Sequence, residues 1–179
     1  MPDVTLDTGA TPAPLPLPSR VLGVLTSPGI TFKSIVAHPR WLGVLVLTSV
    51  IAAVFAALPM TTEGGQQAAI DTNVKAMESF GMQVSDDAYA AMQRGAARMP
   101  YTTGLTVLIA APIMSVVLSG ILFAIFAIGG GGATFKQVFT VFVHSGVISA
   151  VGGIFTGTVN YFRQSTQSAT NLAVMMPML

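Results

Sequence analysis

The sequence predicts an all-α fold, a polytopic transmembrane helical protein with an amino-terminal interfacial helix and a helical hairpin between its first two spans. Three observations carry that expectation. Only 8% of the 179 residues are charged, whereas 52% are hydrophobic and the mean hydropathy is +0.71; an ordinary soluble domain carries about 25% charged residues. The eight Lys and Arg and seven Asp and Glu all avoid three apolar windows, residues 41–58, 104–128 and 138–159. At about 1.5 Å per residue these windows reach about 27, 37 and 33 Å, enough for a hydrocarbon core of about 30 Å. A soluble protein would have to hide such helices under a polar shell, and 179 residues do not supply one.

Residues 1–19 carry Pro2, Pro12, Pro14, Pro16 and Pro18 among small side chains, which predicts an extended, disordered tail. With no basic start and no apolar h-region it is not a signal peptide. The helical membrane domain is expected over residues 20–165. Ser27-Pro28 signals a helix start and Pro39 a stop. The short segment between them, with Phe32, Ile35 and Val36 on one side and Lys33 and Ser34 on the other, suits a helix lying in the interface. Arg40 and Trp41 fit the headgroup level at which the first span begins.

Residues 59–103 hold most of the acidic groups. Ile70, Val74, Met77 and Phe80, then Tyr89, Met92, Ala96 and Met99, recur at helical spacing. Gly81 can end the first of these helices and Ser85 can cap the second, which gives a hairpin outside the membrane. Pro112 interrupts the second span and should kink it. Gly129–Gly132 reads as a tight re-entry turn; a phosphate loop would need a Gly-Lys-Ser/Thr ending and a preceding strand. Residues 166–179 form a tail that turns apolar near its end, as though a further hydrophobic element should follow.

Small residues let helices approach closely in lipid. Ser145, Ser149, Gly153 and Gly157 make an i+4 row on the third span, and Ala111, Ser115 and Ser119 make another on the second, with Gly120 and Ala124 beside it. These rows predict helix packing within the chain, and they also suit association with a second copy. His144 is the ionisable residue inside a span, so with the Pro112 kink it is the candidate for a functional role. A neutral imidazole held by a serine or a carbonyl is the plainer expectation.

The function classes narrow accordingly. A net charge of +1 offers no basic patch for nucleic acid. The chain has no cysteine, and its two histidines stand 106 positions apart without acidic neighbours, so neither a catalytic set, a metal site nor a cofactor is expected. Asp86-Asp87 reads as the start of a capped helix. The expected partners are the lipid bilayer and other membrane proteins or a second copy. Lys33 and Arg40 lie close to the first span, which favours a cytoplasmic amino terminus.

Ser27-Pro28, Thr31-Phe32-Lys33-Ser34-Ile35 and His38-Pro39-Arg40-Trp41 opening a span together resemble the start of bacterial Yip-domain proteins. The glycine turn, Thr134-Phe135-Lys136-Gln137-Val138-Phe139 and His144-Ser145-Gly146 continue the likeness, which covers about residues 20–165. The resemblance implies a multi-pass domain, usually of five spans, with a cytoplasmic amino terminus in the bacterial inner membrane. It implies as well that two carboxy-terminal spans would follow this stretch. The eukaryotic members are Ypt/Rab-interacting proteins of vesicle traffic, a role that does not transfer to a bacterial chain. The expected function is a non-enzymatic scaffold or adaptor that binds membrane proteins or shapes the bilayer. The alternative is a transporter or channel subunit with His144 lining a pathway. Finally, Gly29–Lys33 and Gly132–Lys136 match at four of five positions, each ahead of a span.

Overall fold

The computed structural model describes residues 13–166, and among these it contains helices and no strand. Seven α-helices follow one another: α1 (Leu17–Thr26), α2 (Pro28–Ala37), α3 (Leu42–Ala57), α4 (Glu63–Ser79), α5 (Asp86–Gly95), α6 (Met99–Ile128) and α7 (Phe135–Arg163). Short 3₁₀ turns extend α3 through Thr61 and join α5 to α6. Among the described residues three stretches are long and apolar enough to cross a membrane: Leu42–Thr61, Asp86–Ile128 and Phe135–Arg163. The chain is an integral membrane protein of helical type. Residues 1–12 of the expected tail and most of the expected carboxy-terminal tail lie outside the described residues.

The expected tail ran to residue 19, yet helix α1 begins at Leu17. Pro18 causes no break there, because a proline in the first helical turn gives up a backbone donor that would have no partner anyway. Leu17, Val21 and Val24 then form one apolar stripe at helical spacing, and Arg20 stands within it.

The chain divides into two compact units. The first comprises residues 13–46 and 114–148. Its core joins Val24 of α1, Ile35 of α2, Val44 and Leu45 of α3, and Phe139, Val143 and Val147 of α7. Trp41 meets the edge of Phe139 at 5.2 Å between ring centroids, Phe139 stacks on Phe135 at 5.9 Å, and Phe123 of α6 meets Phe135 at 5.9 Å. Aromatic pairs at such spacings add about 0.5–1.5 kcal/mol each beyond burial. Trp41 is half-buried in this cluster.

Helix α2 starts at Pro28 and stops before Pro39, as its prolines demand, but Ser27 does not cap it with its side chain. The Ser27 carbonyl instead accepts the Thr31 amide at 3.1 Å and the Thr31 hydroxyl at 2.9 Å. The buried face also differs from the expected one: Thr31, Ser34 and Ile35 turn inward while Val36 is exposed. A buried serine is tolerable here because Ser34 donates to the Ala13 carbonyl at 3.0 Å.

The glycine turn closes α6 by a Schellman arrangement. Gly130 sits at φ +79°, and the Gly131 amide reaches back to the Phe126 carbonyl at 2.8 Å. Helix α7 then opens on a capping box: the Thr134 amide donates to Gln137 Oε1 at 2.8 Å, and the Gln137 amide returns to Thr134 Oγ1 at 3.4 Å.

The second unit comprises residues 47–113 and 149–166. The α4–α5 hairpin ends its first helix at Gly81, at φ +78°, with the Met82 amide bonded to the Met77 carbonyl at 3.0 Å. Ser85 caps α5 through the Ala88 amide, and Thr62 caps α4 through the Gly65 amide at 3.1 Å. Gln67 bridges the two arms, donating to Asp71 at 2.8 Å and to the Tyr89 hydroxyl at 2.6 Å. Asp86 and Asp87 occupy the first turn of α5, where carboxylates complement the helix dipole. Of the expected apolar edge only Ile70 is fully buried, and Phe80 is largely exposed.

Candidate functional site: a buried histidine and arginine

Helix α7 turns Phe139, Thr140, Val143, His144 and Val147 inward, a row at steps of three and four residues. His144 is fully buried. Its Nδ1 lies 2.7 Å from the Thr140 carbonyl, one turn earlier. A carbonyl can only accept, so this nitrogen carries the ring proton. Nε2 is then left as an acceptor, and 3.3 Å away stands the guanidinium of Arg20. The same Arg20 nitrogen, Nη1, donates to the Arg40 carbonyl. Thr140 closes the set by donating its hydroxyl to the Lys136 carbonyl at 2.6 Å. Helix α1, the α2–α3 junction and α7 are thus tied together through one guanidinium and one imidazole.

Arg20 is also buried, and its Nε has no hydrogen-bond partner. Burial, and after it the nearby Arg40, lowers the pKa of the guanidinium from its usual value. Even so a guanidinium stays protonated in a protein. No Asp or Glu occurs among the described residues of this unit. A neutral imidazole nitrogen and a carbonyl are the partners of this cation, so the arrangement is a positioning device with both His144 nitrogens engaged. Among the described residues no three His, Asp or Glu side chains come together as metal ligands would.

Sequence reading singled out His144 but passed over Arg20 and Thr140. The signal for Arg20 was present: it falls between Leu17, Val21 and Val24, a charge placed on the apolar stripe of its helix. Thr140 precedes His144 by one helical turn, which is where a backbone carbonyl within reach of its ring must lie.

The other expected site residues are distributed as follows. Pro112 lies inside α6, half-buried. Of the third-span row, Ser145 and Ser149 are exposed, with the Ser145 hydroxyl turned back to the Phe142 carbonyl at 2.7 Å. Gly153 faces open space beside a cavity of about 390 Å³ that is bounded by Phe55, Val107 and Asn160. Gly157 presses on α3, where an added Cβ would stand 2.9 Å from the Phe55 Cβ and 3.0 Å from its carbonyl carbon. On α6, Ser119 is fully buried and Ser115 half-buried. Phe32 borders the core, while Lys33 and Arg40 are exposed.

No curated protein and no solved structure matches the chain significantly. Residues 22–178 match the Yip1 domain, a stretch that takes in α2 to α7 and the whole His144 region. With most of its length so matched, and with the membrane-spanning helices described above, this chain is a member of the Yip1 domain family.

Proposed function

We propose that the protein is a non-enzymatic membrane scaffold that binds other membrane proteins through its second span. The observation behind this reading is the bareness of α6. Of its thirty residues only Ser119 is fully buried, and 6% of its most apolar window is covered, against 28% for the stretch containing α3 and 33% for α7. In lipid, helices associate by close packing of small side chains. Gly120 and Ala124 offer such a surface one turn apart, and an added Cβ at Gly120 would meet nothing within 4 Å. Lipid alone can cover such a helix, so the reading stands or falls on a partner that depends on this face.

Affinity purification in mild detergent from native membranes should recover a stoichiometric partner with the unaltered chain. Gly120→Leu and Ala124→Leu should lose it while keeping the melting temperature. A chain recovered alone, or a partner indifferent to both variants, overturns the scaffold reading. The transport alternative draws less support, because His144 is occupied by Arg20 and Thr140.

We place the protein in the cell membrane, the inner membrane of a bacterium, with its amino terminus cytoplasmic and α2 in the interface. Lys33 and Arg40 ahead of α3 support this orientation. The chain has no cysteine, so single replacements give a clean test. A membrane-impermeant maleimide applied to intact cells should label Gln83→Cys in the α4–α5 loop and spare Ser19→Cys in α1. The reverse pattern overturns the orientation.

A further inference from the structure

The Thr-Phe-Lys sequence occurs twice, at Thr31–Lys33 in α2 and at Thr134–Lys136 entering α7. The fold brings the two segments together: Gln137 Nε2 donates to the Val36 carbonyl at 3.3 Å. Val36 lies one turn beyond Lys33, and Gln137 directly follows Lys136. Between them opens a groove of about 310 Å³, lined by Val36, Leu122, Phe126, Ala133, Val141 and Phe142. That volume falls in the range of small-ligand sites, about 300–1,000 Å³. Its wall is apolar apart from Gln137 and Ser145.

The carboxylates of the described residues all lie in one unit, whereas cations occur in both. The first unit carries Arg20, Lys33, Arg40 and Lys136 and no carboxylate among its described residues. Among the described residues the five carboxylates, Glu63, Asp71, Glu78, Asp86 and Asp87, fall in the second unit, interspersed there with Lys75, Arg94, Arg98 and Arg163. Lys33 and Lys136 are exposed, so both ammonium groups are free to reach a ligand. An apolar groove in a bilayer accepts an acyl chain, and cations adjacent in the helices to its lining residues Val36 and Gln137 favour a negative headgroup. A neutral helix would fill the groove but leave these cations without counter-charge.

We propose that the groove between α2, α6 and α7 binds one anionic phospholipid, an acyl chain lying along Phe126 and Phe142 and its phosphate held by Lys33 and Lys136. This site lies apart from the Gly120–Ala124 face of the scaffold reading, so the two can fail separately. The structure accounts in this way for the doubled Thr-Phe-Lys entry, which the buried Arg20–His144 pair leaves unused.

The full chain, purified and exchanged into equal phosphatidylglycerol and phosphatidylcholine of the same acyl composition, should retain phosphatidylglycerol preferentially by native mass spectrometry. Each surface cation near a membrane contributes enough to change that ratio about fivefold. Lys33→Gln and Lys136→Gln should each lower the preference by about that factor, and the double variant by about thirtyfold. Ala133→Trp, which fills the groove mouth, should lower retention of both lipids. Lys75→Gln on α4 should leave the ratio unchanged. Equal retention of the two lipids by the unaltered chain overturns the proposal. So does a preference that survives the double lysine variant, or one that Lys75→Gln lowers as much. A photocrosslinker in place of Val138 that captures protein instead of lipid also overturns it.

Discussion

His144→Leu is expected to destabilise the first unit by about 3 kcal/mol, because it leaves the buried Arg20 guanidinium short of an acceptor. The imidazole Nε2 and the Arg40 carbonyl are the partners of that cation, and its Nε already has none. Removing an acceptor from a buried charge costs more than removing both partners, since the charge still has to be desolvated. The double variant Arg20→Met/His144→Leu should therefore regain much of the loss, as methionine fills the space of the arginine stem without its charge. Trp41 is the chain's one tryptophan and touches Phe139 in the same core, so its fluorescence reports on this unit directly. Thermal melts in detergent followed at Trp41 should show a lower midpoint for the single variant and a partial return for the double. If the two substitutions merely add, Arg20 and His144 do not act as a pair. Limited proteolysis at the α1–α2 junction gives a second readout, with cleavage near Ser27 rising only where α1 is released.

A comparable loss should follow from Gly157→Leu in the second unit. An added Cβ at this position already stands within 3.0 Å of Phe55 backbone and side-chain atoms, and the Phe55 backbone cannot swing aside as a flexible side chain would. Helix α7 has to move from α3 there, and overpacking of this kind costs about 1–3 kcal/mol or more. Gly153→Leu provides the contrast, since the space beside Gly153 is open. Its melting midpoint should stay within about 0.5 kcal/mol of the unaltered chain in equivalent stability. Equal melting of the two leucine variants would remove the close α3–α7 contact at Gly157.

The contrast between these two glycines shows how far a sequence row can be trusted. Ser145, Ser149, Gly153 and Gly157 repeat every four residues, but four residues turn a helix through about 400°. Each step therefore rotates the row by about 40°, and three steps carry it about a third of the way round the helix. A strict i+4 row cannot stay on one face over this length. The buried positions Thr140, Val143, Val147 and Ala150 alternate steps of three and four, which holds them together, and His144 lies one turn beyond Thr140 on the same side. The three apolar windows needed no such geometry, because they depend on composition over lengths set by the bilayer, and the family resemblance rests on short runs of adjacent residues such as His38-Pro39-Arg40-Trp41.

By itself the sequence determined the membrane class, the three apolar helices, the breaks at Pro39 and the glycine turn, and the cap at Ser85. Each of these follows from residues near in the chain: a run of side chains without charge, a proline lacking a donor, a glycine free to take positive φ. The tertiary structure decided what depends on distant residues meeting. It set Arg20 against His144 across 124 positions, turned Ser34 inward by supplying the Ala13 carbonyl, and joined the helices that carry the two Thr-Phe-Lys entries through Gln137 and the Val36 carbonyl. A buried cation or hydroxyl looks unfavourable in sequence until its acceptor is known, and in each of these cases the acceptor comes from another helix or a distant segment. Local propensity carries no information about such a partner, and so the candidate site was half legible: the histidine in its span and the charge on the apolar stripe of α1 could be seen, and their meeting could not.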